Sequence, residues 1–423
     1  EILASDWSSD VCSSDLDSNG DCLTVCPFNP FPKEEVKTEN ELSEIYLNKA
    51  TEYHPLIGRY ISIYAGYAKE FRLKSSSGGI ATYIFTKLLE KRIVDHVISI
   101  KESTKPNVHY EYTYSSSKEE LLKASKTRYF PVTLATIFPK INELKGKVAI
   151  VGVACFIKAI RLAQHSDPEL KNKIPFLVGI ICGGVKSRFF TEYLASKSGV
   201  EVENIQKPNF RIKDLNSTAA DYSFGCFDKS NNEEKTVKMR SVGDMWGTGL
   251  FKSNACDFCD DVTTELADIS VGDAWLEPYV KNGFGTNVIV TRTLLADQVI
   301  HEGIVNGEVH IEQLPLERFL SSQQGSFNHR HKGLSVRINQ AKKHKIPVPP
   351  KRFGTEKTTL DFRIVQILRM RVRRKSLVIW KSVSNFDLFD RKMKIHLMRL
   401  RLATKIYHFR RKIEGYIIKS SSK

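Results

Sequence analysis

The stretch Lys147-Val-Ala-Ile-Val-Gly-Val-Ala-Cys155 indicates the fold most directly, because it is a nearly uninterrupted apolar run that ends in a cysteine. A second run of this kind, Phe176-Leu-Val-Gly-Ile-Ile-Cys182, follows a segment with helical apolar spacing from Phe156 to Gln164. Strands that are apolar along their whole length are typically buried in a parallel sheet with helices on both faces. The two runs therefore predict neighbouring strands of an α/β protein.

Strand and helix patterns continue on both sides of this stretch. We expect further strands at 61–68, 95–100, 267–272 and 287–292 and further helices at 39–50, 80–91 and 187–197. At 423 residues the chain is long enough for two or three domains. The predicted fold class is α/β, with a mixed or parallel sheet core and helices on both faces.

Four cysteines form the main candidate site. Cys155 and Cys182 each come directly after a strand, and neighbouring parallel strands bring such residues to the same carboxyl edge of a sheet. Cys256-Asp-Phe-Cys259 adds two thiols at the spacing of metal ligands. Four thiolates can hold one 4Fe–4S cluster, and they can also hold one zinc ion. Because two of the four follow separate strands, the pattern favours the cluster over a zinc site built from two short knuckles.

A serine–glycine turn, Ser75-Ser-Ser-Gly-Gly79, is the candidate anion site. Backbone N–H groups at a helix start, in a turn freed from side chains by glycine, suit a pyrophosphate, and Arg72 and Lys74 add positive charge beside it. The alternative is an ordinary helix N-cap. The candidate residues of this anion site are Ser76, Ser77, Gly78 and Gly79.

The N-terminal region contains part of a ferredoxin motif. The run Asp21-Cys22-Leu-Thr-Val-Cys26-Pro27 matches the end of the ferredoxin spacing. Residues other than cysteine stand at the two earlier cysteine positions of that motif. Two thiols cannot hold a cluster, so Cys22 and Cys26 indicate a truncated ferredoxin-like module with a possible second cluster; the alternative is two surface cysteines. Residues 1–16 resemble translated adapter sequence, and we expect them to be non-native.

The charge of the chain is concentrated at its C-terminal end. The net charge is +16, and residues 351–423 hold 21 Lys and Arg against 5 Asp and Glu. We expect a basic helical tail, in which one helical stripe is formed by Ile395, Met398, Leu402, Ile406, Phe409 and Ile413. The tail could contact an anionic membrane or an acidic partner, or the stripe could pack on the body of the protein. Sparse aromatic residues argue against nucleic acid.

The compartment is predicted from the cysteines and the lack of export signals. Eight cysteines in a chain with no signal peptide or apolar membrane span predict a cytoplasmic protein, with peripheral contact at the inner membrane face through residues 351–423.

Together these motifs resemble the β-subunit family of coenzyme F-420 hydrogenases and dehydrogenases. The resemblance is carried by the serine–glycine turn, Val151–Cys155, Ile181–Gly184 and Cys256–Asp261 with Ala267–Trp275; Ala154 stands where the family often has proline. It implies FAD, and it makes Ser76, Ser77, Gly78 and Gly79 the candidate flavin-binding residues. It also implies a 4Fe–4S cluster and an iron–sulfur electron-transfer partner, either a ferredoxin or a hydrogenase or dehydrogenase subunit. It implies domains at 17–57 (ferredoxin-like remnant and linker), 58–140 and 141–345, and the basic helical tail, 346–423, lies outside the resemblance.

The resemblance leaves the substrate open, and the sequence assigns no catalytic residue. The chain is expected to be an oxidoreductase subunit that passes electrons between the cluster and FAD, for a deazaflavin-type substrate or another one. The alternative is a non-catalytic binding or scaffold protein that docks through its basic tail.

Overall fold

We analysed a computed structural model, which describes residues 21–105 and 108–421. The expected non-native segment, residues 1–16, lies outside the described residues. Within them the strands are β1 (Glu52–His54), β2 (Gly58–Tyr60), β3 (Ser62–Ala68), β4 (His96–Glu102), β5 (Tyr110–Ser115), β6 (Val148–Val153), β7 (Phe176–Ile180), β8 (Ile205–Ile212), β9 (Ser223–Asp228), β10 (Glu233–Lys238), β11 (Ile269–Asp273), β12 (Asn287–Thr291) and β13 (Val309–Gln313).

Eight of these strands form one mixed sheet in the order β13-β3-β12-β11-β7-β6-β4-β5. The central strands β4, β6, β7 and β11 run parallel, and their neighbours on both sides are antiparallel. Strands β8 to β10 form a separate three-stranded sheet, and β1 pairs with β2. The predicted α/β class with a mixed sheet is confirmed.

Helices cover both faces of the large sheet because successive strand residues point to opposite sides. On β6, Ala149 packs into a core with the Ile80–Glu90 and Leu294–Val305 helices. Its neighbour Ile150 packs into a second core, with the Ala154–Ser166 helix. The other helices are Asp21–Thr24, Glu39–Tyr46, Lys118–Lys123, Glu169–Lys173, Arg188–Ser198, Met239–Val242, Leu316–Ser322, Gln324–Phe327, Leu334–Lys343, Leu360–Val383 and Phe386–Ser421.

The C-terminal region is helical, as predicted, and packs closely on the body. The Leu360–Val383 and Phe386–Ser421 helices form an antiparallel hairpin against the Arg188–Ser198 helix. The indole N–H of Trp380 donates to Glu192, 2.7 Å away, and Phe389 lies 5.1 Å from the ring of Tyr193. Among the described residues no helix is long and apolar enough to cross a membrane.

This packing predicts a large stability effect at the start of the last helix. Phe389 is fully buried, so Phe389→Ala should lower the free energy of unfolding by about 3–5 kcal/mol. Its neighbour Leu388 is 45 % exposed, and Leu388→Ala should change it by less than about 1 kcal/mol. Urea denaturation of the two variants measures both values. Equal, small effects would show that the hairpin does not support the body.

Candidate functional site

The first two cysteines lie at the carboxyl edge of the sheet, as the sequence predicts. Cys155 is the second residue of the Ala154–Ser166 helix, directly after β6, and Cys182 lies two residues beyond the end of β7. The two strands are parallel neighbours, with Val153 opposite Ile180. Both thiols therefore leave the sheet at the same edge.

The second pair of thiols reaches the same place from a distant segment. Cys256 lies in a single 3-10 turn, Ala255–Phe258, and Cys259 follows it. The backbone N–H of Val185, in the loop after Cys182, donates to the sulfur of Cys256 at 3.2 Å. This contact fixes the Cys256–Cys259 loop against the strand ends.

The four thiols are close enough to influence one another. Burial raises the pKa of each thiol above the usual value for cysteine. For Cys155 the other three thiols add to this effect, since charge on any of them disfavours charge on Cys155. The structure therefore brings the four predicted cysteines into one electrostatically coupled group.

Donors surround this group and favour the ionised sulfurs that metals require. The backbone N–H of Gly184 donates to the sulfur of Cys182 at 3.2 Å. Arg330 is 3 % exposed, and its guanidinium donates to the sulfur of Cys259 at 3.4 Å and to the carbonyl oxygens of Asp261 and Cys182. Although burial lowers the pKa of Arg330, the neighbouring thiols raise it above the usual arginine value.

The chemistry of these donors fits an iron–sulfur cluster, with four thiols that are buried or partly buried, N–H donors to the sulfurs and a cation in contact with one of them. Among the described residues no three His, Cys, Asp or Glu side chains are arranged around the position of a single ion. Metal analysis distinguishes the cluster from the zinc alternative.

Arg330 and the histidines on either side of it are not predicted as site residues from the sequence. His329 and His331 lie in a π-helical turn, Asn328–Lys332, in which Arg330 and His331 are buried. His329 lies 2.9 Å from the amine of Lys252, and His331 stacks on Phe353 with ring centroids 3.7 Å apart. The local sequence is entirely polar, so no local signal could have indicated this burial.

Charged residues from the C-terminal region hold the loop that contains Cys256 and Cys259. Asp257 pairs with Lys252 at 2.6 Å and with Arg373 at 2.9 Å. Although burial raises the pKa of Asp257, these two cations hold it at about 2. Lys351 pairs with Asp260 at 3.2 Å. The basic segment after residue 350 therefore contributes directly to the surroundings of the thiols.

The serine–glycine turn is tightly packed between strands. A Cβ atom on Gly78 would lie 2.7 Å from both Asn287 and the carbonyl oxygen of Gly66, which explains the glycine. Gly79 has φ of 82° and begins the Ile80–Glu90 helix. Ser76 accepts from the N–H of Thr127 and Ser77 donates to the carbonyl of Thr286. These hydroxyls are bonded within the chain, so flavin binding at the predicted residues stays a prediction that depends on backbone groups and nearby cations.

A group of basic side chains borders this turn. The amine of Lys213 donates to the carbonyl oxygens of Ser77, at 2.8 Å, and of Arg72. Burial and then the charges of Lys126, Arg211 and Arg72 lower the pKa of Lys213 to about 7. Repulsion between clustered cations is relieved when an anion binds among them. A cavity of about 290 Å³ opens beside the turn and is lined by residues that include Tyr67, Arg72, Thr286 and His310.

The N-terminal cysteines are distant in sequence from the four thiols, and they lie close to the basic segment after residue 350. Cys22 is exposed and Cys26 is partly buried. Two residues after Cys26, the ring of Phe28 lies 5.7 Å from the amine of Lys351, which also pairs with Asp260. The second, truncated cluster at Cys22 and Cys26 stays a prediction.

Comparisons with known proteins agree with this architecture. Residues 63–138 match the family model of the coenzyme F420 hydrogenase/dehydrogenase beta subunit N-terminus, and residues 145–317 match that of its C-terminus. An α/β chain with these matches is a subunit of the electron-transfer oxidoreductase class. In particular, the chain belongs to the coenzyme F420 hydrogenase/dehydrogenase beta-subunit family.

Individual relatives are distant. The coenzyme F420 hydrogenase subunit beta of Methanosarcina barkeri is 27 % identical over 55 % of this chain and 79 % of its own length. A coenzyme F420-dependent sulfite reductase of Methanocaldococcus jannaschii is 25 % identical over 71 % of this chain, which spans only 44 % of that protein. A chain of the F420-reducing NiFe hydrogenase complex from Methanosarcina barkeri superposes with a TM-score of 0.53 at 20 % identity, over 71 % of this chain and 99 % of that one. The structural similarity to the hydrogenase chain supports the fold described above.

Proposed function

We propose that the chain is an iron–sulfur flavoprotein subunit in which Cys155, Cys182, Cys256 and Cys259 hold one 4Fe–4S cluster beside FAD. The observation that carries this proposal is the meeting of four thiols from separate segments at the carboxyl edge of the sheet, close enough for their charges to interact. When bound, the cluster supplies one-electron transfer and the flavin links it to two-electron hydride chemistry.

The residues of the chain tune this centre through charge and burial. The N–H groups of Gly184 and Val185 donate to two of the sulfurs, and Arg330 donates to a third. Each donor disperses negative charge from sulfur, which favours the more negative, reduced state of a cluster. Cys256 is buried and the other three thiols are partly buried, which limits the access of water.

The serine–glycine turn with its basic neighbours is the proposed site of the FAD pyrophosphate. Ser76, Ser77, Gly78 and Gly79 would present backbone N–H groups, and Lys213 would add a positive charge. Lys213 is suited to this role because burial and other cations already destabilise its charge, which an anionic ligand would relieve.

Lys213 gives a pH-dependent prediction for flavin binding. Only the protonated amine attracts pyrophosphate, and its pKa in the free protein is about 7. The affinity for FAD should therefore fall as the pH rises through that value. Lys213→Met should weaken FAD binding about tenfold below pH 7 and flatten the pH profile. Fluorescence titration of the flavin-free protein measures both.

Two variants serve as controls for this prediction. Lys213→Arg keeps a charge and should bind FAD without the loss near pH 7. Lys74→Met removes an exposed lysine from the same turn and should change the affinity less than about threefold. If Lys213→Met bound FAD with wild-type affinity and pH dependence, the Lys213 side chain would not be part of the flavin site.

The substrate and the electron partner are proposed from the relatives. Because these are named as F420-dependent enzymes and hydrogenase or dehydrogenase subunits, we propose a deazaflavin-type substrate and an iron–sulfur partner, either a ferredoxin or another subunit. We also propose a cytoplasmic location with peripheral contact at the inner membrane face.

Anaerobic reduction followed by visible spectroscopy tests the proposal. A one-electron reductant should bleach both a broad cluster absorption and the flavin bands in the same preparation. A protein with neither chromophore would instead support the alternative, a non-catalytic binding or scaffold protein.

A further inference from the structure

The Phe386–Ser421 helix has two apolar faces in its described part, residues 386–413. The inner face includes Phe389, Met393 and Leu400, which are at most 2 % exposed and pack on the body of the protein. The outer face is the stripe that the sequence indicated, and each of its members is between 43 and 69 % exposed: Ile395, Met398, Leu402, Ile406, Phe409 and Ile413. The apolar packing that holds the hairpin to the body therefore comes from the inner face.

The outer stripe forms one straight, extended patch. Its members follow one another at intervals of three or four residues, which keeps them on a single side of a helix. From Ile395 to Ile413 the patch is about 27 Å long at 1.5 Å per residue. An apolar patch of this extent, bordered by polar residues, marks an interaction surface.

The charges beside the stripe have one sign. Residues 391–413 contain nine Lys and Arg and no Asp or Glu. At 100° per residue, seven of these side chains border the stripe and all seven are exposed: Lys392, Arg399 and Arg410 on one side, and Lys394, Arg401, Lys405 and Lys412 on the other. Asp361 of the neighbouring helix lies 3.6 Å from Arg410. An apolar stripe with cations on both sides is typical of a helix that lies in the interface of an anionic membrane.

We propose that this outer face binds an anionic membrane surface, with the helix lying parallel to it. The stripe would enter the boundary between headgroups and acyl chains, while the flanking cations would meet lipid phosphates. The inner face would remain packed on the body, so the whole protein would be held at the membrane without unfolding. The proposal is independent of the thiol centre, and its test measures lipid binding alone.

Charge favours this occupant over a second copy of the chain. Pairing two such faces would bring the seven flanking cations of one helix against seven of the other, with no acidic residue at 391–413 of either copy to offset them. A nucleic acid would engage the cations but would leave six exposed apolar side chains, of which one is aromatic, without a matching surface.

Point variants are needed for the test, because removing the hairpin would expose the core around Trp380 and Phe389. Leu402→Glu with Ile406→Glu places two carboxylates in the stripe at positions that are 59 and 55 % exposed. Leu294→Glu with Val305→Glu is the matched control, because it makes the same chemical change at positions of the body that are 58 and 72 % exposed. Lys394→Gln with Arg401→Gln and Lys405→Gln tests one row of cations.

The full, anaerobically purified chain and each variant are sedimented with vesicles of phosphatidylcholine and phosphatidylglycerol, and with vesicles of phosphatidylcholine alone. We expect the wild type and the matched control to bind the anionic vesicles, less tightly as salt is raised. The stripe variant should lose binding about tenfold or more, and the cation variant should also bind more weakly. Equal melting temperatures confirm that each variant is folded.

Several results would overturn the proposal. These are wild-type binding to neutral vesicles equal to that to anionic ones, unchanged binding by the folded stripe variant, or no vesicle binding by the wild type. Self-association without lipid that the stripe variant abolishes would instead make this face an interface between copies, and capture of an acidic protein with no lipid binding would make it a protein-docking surface.

Discussion

Cys259→Ser is expected to lower the bound iron and acid-labile sulfide from about four of each per chain to less than about one of each. The variant leaves three thiols and one hydroxyl, and a serine hydroxyl stays protonated under conditions that ionise a metal-bound thiol. Arg330 would also lose the sulfur that it contacts at 3.4 Å. Cys256→Ser should have the same result, because the N–H of Val185 fixes that thiol at the same edge. Iron and sulfide assays on anaerobic preparations measure the loss.

Cys226→Ser is the matched control for these variants. Cys226 is fully buried in β9, and its sulfur lies 3.9 Å from the hydroxyl of Ser198, which could bond to the new hydroxyl. This variant should keep the wild-type iron and sulfide. If it lost them while Cys259→Ser kept them, the assignment of the ligands would be wrong.

Arg330→Gln is expected to lower the midpoint potential of the cluster by about 65–130 mV. This follows from a charge-assisted hydrogen bond of about 1.5–3 kcal/mol for a one-electron couple. Arg330 is buried and contacts the thiol of Cys259, so its charge stabilises the added electron. Removing the charge while keeping an N–H donor should make reduction harder. A redox titration followed by electron paramagnetic resonance measures the potential.

Two further variants separate this effect from a loss of structure. Arg330→Lys keeps the charge and should shift the potential by less than half as much as Arg330→Gln. Arg161→Gln removes an equally buried arginine that bonds Asp268, Gln164 and the carbonyl of Leu266, and it should leave the potential unchanged. Equal shifts in Arg330→Gln and Arg161→Gln would point to a general effect on stability.

The sheet was predictable because its strands carry local signals. The runs at β6 and β7 are apolar along their length, and the rule that such strands lie side by side placed Cys155 and Cys182 at one edge. The antiparallel pairing of β12 and β3, which joins segments more than two hundred residues apart, left no comparable trace in the sequence. Pairing of that kind depends on the whole chain.

The surroundings of the thiols were not predictable for the same reason. Arg330, Lys351 and Arg373 look like ordinary surface residues in their local sequence, yet each is a partner of the loop from Cys256 to Asp261. A charged side chain reveals its partner only after folding brings distant segments together. The inner face of the last helix could have been recognised, because Phe389, Met393, Leu400 and Tyr407 also follow helical spacing.

Quantitative analysis of iron, acid-labile sulfide, zinc and flavin in one anaerobic preparation of the wild-type chain tests the central claim most directly. The account predicts about four irons, about four sulfides and one FAD per chain, with zinc far below one. One zinc ion per chain without acid-labile sulfide would contradict it, because the four thiols would then form a structural metal site rather than a redox centre.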